Sequence, residues 1–277
     1  MEFIENGGIL LPKIGLGTFR MTEEILEKII PASLDMGYSL FDTAHKYQNE
    51  IPLGNILKRY GLHNALIETK VHPAQLMGNL RYLRLNRHNL RSTYRQACDN
   101  LQRDKIDVFM IHGIFNGFEK HLNKLLEMKN EGNVGLAGIC NINLPQLLHF
   151  HQFYGKLPDI IQVEIHPYHS NKELIAFCKE HSVLIQARSP FAHGDAMDKW
   201  HQEEVLLQIA QKHNATIPQI ILRWITQQDI IAITRSTNIL HLQENINSFR
   251  IKLTGKEMNM IDSLNKNLSF GYVSSKT

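Results

Sequence analysis

The chain has 277 residues, 43% of them hydrophobic, and a formal net charge of +3. That apolar content suffices for one large core, and the charge is too mild to argue for a nucleic-acid partner. No run reaches the roughly 18 apolar residues of a membrane span. The start, Met1-Glu2-Phe3-Ile4-Glu5-Asn6, has neither the basic nor the apolar region of a secretory signal. The expectation is a soluble cytoplasmic protein. Its three cysteines, Cys98, Cys140 and Cys178, lack CxxC spacing and build neither a disulfide framework nor a zinc ribbon.

In chain order, Phe3-Ile4 and Ile9-Leu10-Leu11 flank Asn6-Gly7-Gly8, which predicts a hairpin able to plug one end of a barrel. Gly15-Leu16-Gly17-Thr18-Phe19 comes next, but Arg20 breaks any GxGxxG fingerprint, so a dinucleotide would not be held in the Rossmann manner. Short apolar runs then alternate with amphipathic stretches. The runs are Tyr38 to Phe41, Leu66 to Thr69, Ile106 to Ile111, Val134 to Ile139, Ile160 to Val163, Val183 to Ala187 and Ile230 to Thr234, and Ile14 to Gly17 makes the eighth. Helical patterns include Glu23 to Met36, Asn49 to Tyr60, His88 to Leu101, Glu119 to Asn130, Glu173 to His181 and Glu203 to His213. Thr22 and Ser170 read as N-caps, and Gly37, Gly61 and Gly132 as C-terminal stops. Doubly buried strands alternating with helices mean a parallel sheet, and eight units in this length predict a (β/α)8 TIM barrel with an N-terminal β-hairpin cap. No linker or repeat interrupts the pattern, so residues 1–277 are expected to form a single domain.

Asp42, Lys70, His112, Asn141, Glu164, Arg188 and Arg235 each follow or close an apolar run. In a barrel those ends share one face, where active sites form. The central stretch is Leu40-Phe41-Asp42-Thr43-Ala44-His45-Lys46-Tyr47-Gln48-Asn49-Glu50. A tyrosine donates a proton readily only if its pKa falls from about 10, and a lysine held by a carboxylate is the usual device. Taken singly, Asp42 reads as readily as a helix cap, while Lys70 is more often a solvated lysine, Tyr47 a half-buried packing residue and His112 a satisfied strand-end histidine. Together, at successive strand ends, the four types point to proton transfer.

Asp42-Thr43-Ala44-x-x-Tyr47-x-Asn49-Glu50, Thr69-Lys70 and Ile111-His112 resemble the catalytic signatures of the aldo-keto reductase family, and the likeness runs from Gly15 to Asn245. The resemblance implies NADPH-dependent reduction of an aldehyde or ketone. Tyr47 would be the general acid with its pKa lowered by Lys70, Asp42 would keep the lysine charged, and His112 would orient the carbonyl oxygen. It also implies nicotinamide contacts from Cys140, Asn141 and Gln162, with Gly17 and Thr18 at the first strand end beside the cofactor. Cys140 replaces the family's serine, and a thiol is the poorer hydrogen-bond partner. Arg188, before Ser189, stands where the family has a tyrosine under the nicotinamide; it either stacks on that ring or swings away to Glu164 or a phosphate. Thr234-Arg235-Ser236-Thr237 resembles the segment that grips the 2′-phosphate, while a later family arginine falls on His241. Glu244 and Asn245 match the residues at the adenine. NADPH is favoured and NADH possible.

On the substrate side, Phe19, His72, Gly113 and Ile114 would line a wide pocket with few aromatics. Phe270 and Tyr272 are the only large groups in the tail, Leu268 to Thr277. Arg81, Arg84, Arg87, Arg91, Arg95 and Arg103 read as a solvated helix face, or else Arg81 or Arg84 reaches the mouth to select anionic substrates. Two rivals remain. One is a metal-dependent barrel hydrolase with His72, His112, Glu164 and His166 as ligands. The other is an NADPH-binding sensor or partner subunit on the same scaffold. The favoured reading expects no bound metal and a monomer acting on a small carbonyl compound.

Overall fold

The computed structural model describes residues 1–76, 89–192 and 197–271. Among the described residues there are ten strands: β1 (Phe3–Asn6), β2 (Ile9–Pro12), β3 (Ile14–Gly17), β4 (Leu40–Asp42), β5 (Leu66–Val71), β6 (Val108–Ile111), β7 (Leu136–Cys140), β8 (Ile160–Glu164), β9 (Leu184–Arg188) and β10 (Ile231–Thr234). The first two pair as an antiparallel hairpin, and the other eight close into a parallel barrel in the order β10-β3-β4-β5-β6-β7-β8-β9. Helices Glu23–Asp35, Glu50–Arg59, Leu90–Leu101, Phe118–Asn130, Leu144–Tyr154, Lys172–Glu180, Ile217–Thr226 and Ile239–Asn247 alternate with the strands. The predicted (β/α)8 barrel is therefore present.

The hairpin turns on Gly7 and Gly8, with φ of 56° and 78°, the left-handed pair that a tight two-residue turn requires. Asn6 Nδ2 donates to the carbonyl oxygens of Asp159 at 3.4 Å and Ser182 at 3.2 Å, just before β8 and β9. Lys13 Nζ reaches Asp229 at 2.8 Å, just before β10. The hairpin thus covers the amino-terminal end of the barrel and leaves open the carboxyl ends, the face where barrel active sites form.

Alternation along the strands divides the core. Leu40, Val108, Met110, Leu136, Ile160, Leu184, Ile231 and Ile233 pack inside the barrel with Leu11 of the hairpin. Their neighbours Ile67, Phe109, Ala137, Ile139, Ile161 and Ile185 join the helices in the outer layer. Side chains two residues apart face the same way, so each inward row can be followed toward the mouth. There it turns polar: Asp42 on β4, Glu68 and Lys70 on β5, Gln162 and Glu164 on β8, Gln186 and Arg188 on β9. Buried polar groups persist only when paired, and this set is paired internally.

Boundaries follow the sequence reading closely, with three corrections. Strands β5 and β9 run on to Val71 and Arg188, so Lys70 and Arg188 are strand residues and are held by ladder bonds. Thr22 caps its helix, accepting from the Ile25 N–H, but Ser170 caps nothing. The cap position belongs to Asn171, at φ 49° with no side-chain cap bond. A turn between His166 and His169, together with a bond from the Ser170 N–H to Asn265 Oδ1 at 3.1 Å, pulls Ser170 away from the helix start. Gly37, Gly61 and Gly132 follow their helices in the left-handed conformation, as stops should. His88, Arg81, Arg84, Arg87 and Tyr272 lie outside the described residues. Arg91, on an outer helix, pairs with Glu131 at 2.6 Å, in keeping with a solvated face. No helix among the described residues is long and apolar enough to cross a membrane.

Candidate active site

The loop after β4 is locked before any functional side chain is placed. The Thr18 N–H and hydroxyl both donate to the Asp42 carbonyl, at 2.8 and 3.0 Å. Asn49 Nδ2 donates to the Thr18 carbonyl at 2.8 Å, and the Thr43 hydroxyl donates to Asn49 Oδ1 at 2.7 Å. Glu50 accepts from the Thr69 hydroxyl at 2.6 Å and from Asn100 Nδ2 at 3.0 Å. The Asn-Glu end of the motif is therefore scaffolding that ties the loop to β3 and β5. Between these anchors, His45–Tyr47 form one 3₁₀ turn that presents Tyr47 at the mouth.

Lys70, fully buried, contacts the Asp42 carboxylate and donates to the Thr43 carbonyl at 3.0 Å. Its Nζ lies 5.7 Å from the centre of the Tyr47 ring. The His112 ring meets Tyr47 edge-on at 5.6 Å and His72 at 6.1 Å. All four residues predicted to act in proton transfer are thus brought together at one mouth. The electrostatics differ from the simple expectation. Burial pushes the Tyr47 phenol well above its ordinary range, and the Lys70 charge opposes this without overcoming it. Burial is the larger influence, and the Asp42 charge adds to it. The resting phenol is consequently protonated. His112 is driven down to about 3, first by burial and then by the Lys70 charge. It is a neutral imidazole, and its Nδ1 has no partner among the described residues.

Beneath the pair lies a network the sequence reading did not name. Gln162 Nε2 sits 2.8 Å from Asp42 Oδ2, 2.8 Å from Glu68 Oε1 and 3.1 Å from Gln186 Oε1. Gln186 Nε2 donates to Glu68 Oε2 at 2.6 Å. The signal was present: Glu68 and Gln186 stand two residues before Lys70 and Arg188, on the same inward faces.

Around the mouth, Arg188 donates from Nε to Asn141 Oδ1 at 2.7 Å and from a terminal nitrogen to Glu164 Oε2 at 3.2 Å. It also reaches the Gly271 carbonyl at 3.2 Å and the Ser189 hydroxyl at 3.4 Å. Glu164 further accepts from the Ser269 hydroxyl and the Phe270 N–H, both at 2.7 Å, and lies 2.9 Å from His166 Nε2. Of the two alternatives for Arg188, pairing with Glu164 is the one seen. The Cys140 thiol is buried 3.8 Å from Gln162 Oε1. Arg235, just after β10, is exposed and leans over the turn that follows β3, donating to the Phe19 carbonyl at 2.5 Å and the Arg20 carbonyl at 3.4 Å.

The Ser236 hydroxyl bonds within its own turn to the Asn238 backbone. The Thr216 hydroxyl donates to Glu244, while Asn245 is buried and His241 exposed. Phe19 packs against Tyr47 at 5.0 Å. Gly17 keeps the rim low, since a Cβ there would meet Ile233 Cγ2 at 3.2 Å. Among the described residues no group of three or more His, Cys, Asp or Glu is placed to hold a metal ion. The proposed ligands are divided, with His166 against Glu164 and His72 against His112.

A nicotinamide cofactor fits the donor set. Its carboxamide needs one acceptor and one donor, and Gln162 Oε1 and the Asn141 amide supply those types. The exposed Arg235 suits a phosphate.

The aldo/keto reductase family model matches residues 13–266. A protein named uncharacterized oxidoreductase YtbE, of Bacillus subtilis, is 32% identical over 275 residues, covering 96% of this chain and 93% of the relative. A glyoxal reductase from the same organism is 29% identical over 273 residues, covering 96% and 93%. Among solved structures, a Gox0644 mutant in complex with NADPH superposes with a TM-score of 0.81 at 25% identity, covering 96% of this chain and 93% of that one. With its tetrad and barrel assembled as above, the chain belongs to the aldo/keto reductase family.

Proposed function

We propose that the protein reduces an aldehyde or ketone to the alcohol with NADPH, and that Tyr47 supplies the proton. The observation that carries this is the convergence at one mouth of a protonated Tyr47, a buried Lys70 contacting Asp42, and a neutral His112. When bound, the nicotinamide supplies the hydride. Tyr47 gives its phenolic proton to the carbonyl oxygen as charge develops there. Lys70 stabilises the tyrosinate left behind, and Asp42 keeps the lysine charged and fixed in place. His112, neutral, offers an N–H to the same oxygen and orients it.

NADPH rather than NADH is the favoured donor because Arg235 presents an exposed guanidinium, with its planar fork, beside the Phe19–Arg20 turn. Small dicarbonyls are sensible first substrates, since a similar protein is named a glyoxal reductase and Gly113 and Ile114 bring no aromatic wall. A binding-only role on the same scaffold has one observation in its favour: Arg188 engages Asn141, a group assigned here to the carboxamide. The test is absorbance-monitored NADPH oxidation with glyoxal and with a generic aromatic aldehyde. Turnover supports reduction; tight NADPH binding with no turnover across such a panel supports the binding-only role.

A further inference from the structure

Beneath Tyr47 the carboxyl groups of Asp42 and Glu68 share the ammonium of Lys70. Lys70 contacts Asp42, and Glu68 Oε1 lies 3.4 Å from the same Nζ. Asp42 Oδ2 and Glu68 Oε1 are bridged by the single amide nitrogen of Gln162, 2.8 Å from each. Glu68 is fully buried and Asp42 only 4% exposed, so bulk solvent screens them little. An amide nitrogen has two hydrogens, and Gln162 Nε2 faces three acceptor oxygens once Gln186 is counted. One unit of positive charge cannot hold two desolvated carboxylates this close together. A proton on one of them resolves both problems, because a protonated Glu68 donates a hydrogen bond to the Asp42 carboxylate.

We propose, building on the carbonyl-reductase reading, that Glu68 is a positioning residue of this active site. As a neutral acid bonded to Asp42, Gln162 and Gln186 it keeps the Asp42–Lys70 pair aimed at Tyr47; as a carboxylate it draws Lys70 away. With Glu68 neutral, Asp42 and Lys70 cancel, and the tyrosinate formed during reduction brings the only unbalanced charge. With Glu68 ionised, the cluster already carries a net negative charge, and a second one at Tyr47 is opposed.

The surroundings support this. Burial first, then the Asp42 charge, lift Glu68 to about 8 against the opposing pull of Lys70. The other titratable groups facing it are Tyr47 from the 3₁₀ turn and Cys140 from β7, both held neutral chiefly by burial. His112, after β6, is uncharged. Strands β8 and β9 present the amides Gln162 and Gln186, and β3 and β10 present Gly17 and Ile233.

The experiment compares the wild-type chain with Glu68→Gln and Glu68→Met, following NADPH oxidation with an aromatic aldehyde from about pH 6 to about pH 10. The wild type should lose activity above about pH 8, close to tenfold per pH unit for one ionising group. Glu68→Met, which keeps volume but no hydrogen bonds, should lower kcat at neutral pH by about tenfold or more. Glu68→Gln should recover part of that loss and lack the alkaline fall below the range where Tyr47 itself ionises. Infrared spectroscopy at neutral pH should show a protonated carboxylic-acid band in the wild type that is missing in Glu68→Gln. An alkaline fall unchanged in Glu68→Gln overturns the proposal, as does a folded Glu68→Gln no more active than Glu68→Met. Turnover without the infrared band defeats the Glu68 proposal alone. The band without any aldehyde turnover defeats the carbonyl-reductase reading and the positioning role with it.

Discussion

Replacing Arg188 by alanine removes four contacts at once: Asn141, Ser189, Glu164 and the Gly271 carbonyl. The magnitude is set mainly by what remains around Glu164, whose side chain is only 3% exposed. Stripping the sole partner from a buried charge costs about 3–5 kcal/mol. Here burial would raise the Glu164 carboxyl, but bonds from His166, the Phe270 N–H and Ser269, and the Arg188 charge, hold it near 2. Arg188 is the smallest of these named contributors, so the carboxylate stays well solvated by the protein after its removal. The expected loss is therefore that of a charge-assisted bond or slightly more, about 2 kcal/mol, or roughly 5 °C in Tm for a chain of this size.

The loss should localise to the segment from Leu268 to Gly271, with amide hydrogen exchange there rising before the barrel responds. A Tm within about 1 °C of wild type would refute a stabilising role for the Arg188 contacts; a drop above about 12 °C would mean that Glu164 depends on Arg188 alone. The same geometry bears on the cofactor. With a carboxylate 3.2 Å away, the guanidinium charge is locally balanced. Arg188→Tyr should then leave the ratio of NADP⁺ to NADPH affinity unchanged within about twofold. A several-fold tightening of NADP⁺ would put the arginine on the ring instead.

Two further outcomes follow. Arg235→Ala should weaken NADPH by about one to two decades in Kd, from the loss of roughly 1.5–3 kcal/mol, and NADH far less; equal losses in titrations would remove Arg235 from the 2′-phosphate. Stability should also depend on pH in opposite senses at the two ends of the scale. Glu164 is depressed to about 2 when folded, so its contribution is present above the unfolded value of 4.5 and is lost as pH falls through 2. Glu68 is raised to about 8, so its contribution is full below 4.5 and is lost progressively as pH rises from there to about 8. Denaturant melts across pH in the wild type and Glu68→Gln measure both, and a decline between about pH 4.5 and 8 that is unchanged in Glu68→Gln would contradict the second.

The fold was legible because doubly buried strands announce themselves as short apolar runs, and the polar residues closing them mark the mouth. The helices Leu144–Tyr154, Ile217–Thr226 and Gly255–Asp262 were not among the patterns named from sequence, although the capping boxes Asn143/Gln146, Thr216/Gln219 and Thr254/Glu257 mark their starts. Ser170 misled because a cap needs the chain to enter the helix at that residue, and the His166–His169 turn moves the entry on by one. The tetrad was legible from residue type and order. Its charge balance was not, because the phenol's acidity depends on burial and on how far Lys70 is already engaged by Asp42. Glu68 and Gln186 were visible only to period-two alternation carried one step inward. The hold of Ser269 and Phe270 on Glu164 had no local signal, since it joins residues more than a hundred positions apart.

The central claim is that the proton comes from Tyr47, and Tyr47→Phe tests it most directly because it removes one oxygen and leaves the ring against Phe19 and His112. The measurement is kcat for aldehyde reduction beside NADPH affinity by fluorescence titration. A positioned acid contributes about 10²–10⁴-fold, so kcat should fall by at least about a hundredfold while the NADPH Kd stays within about twofold. A variant that keeps more than about a tenth of wild-type kcat would show that the proton is delivered by another group.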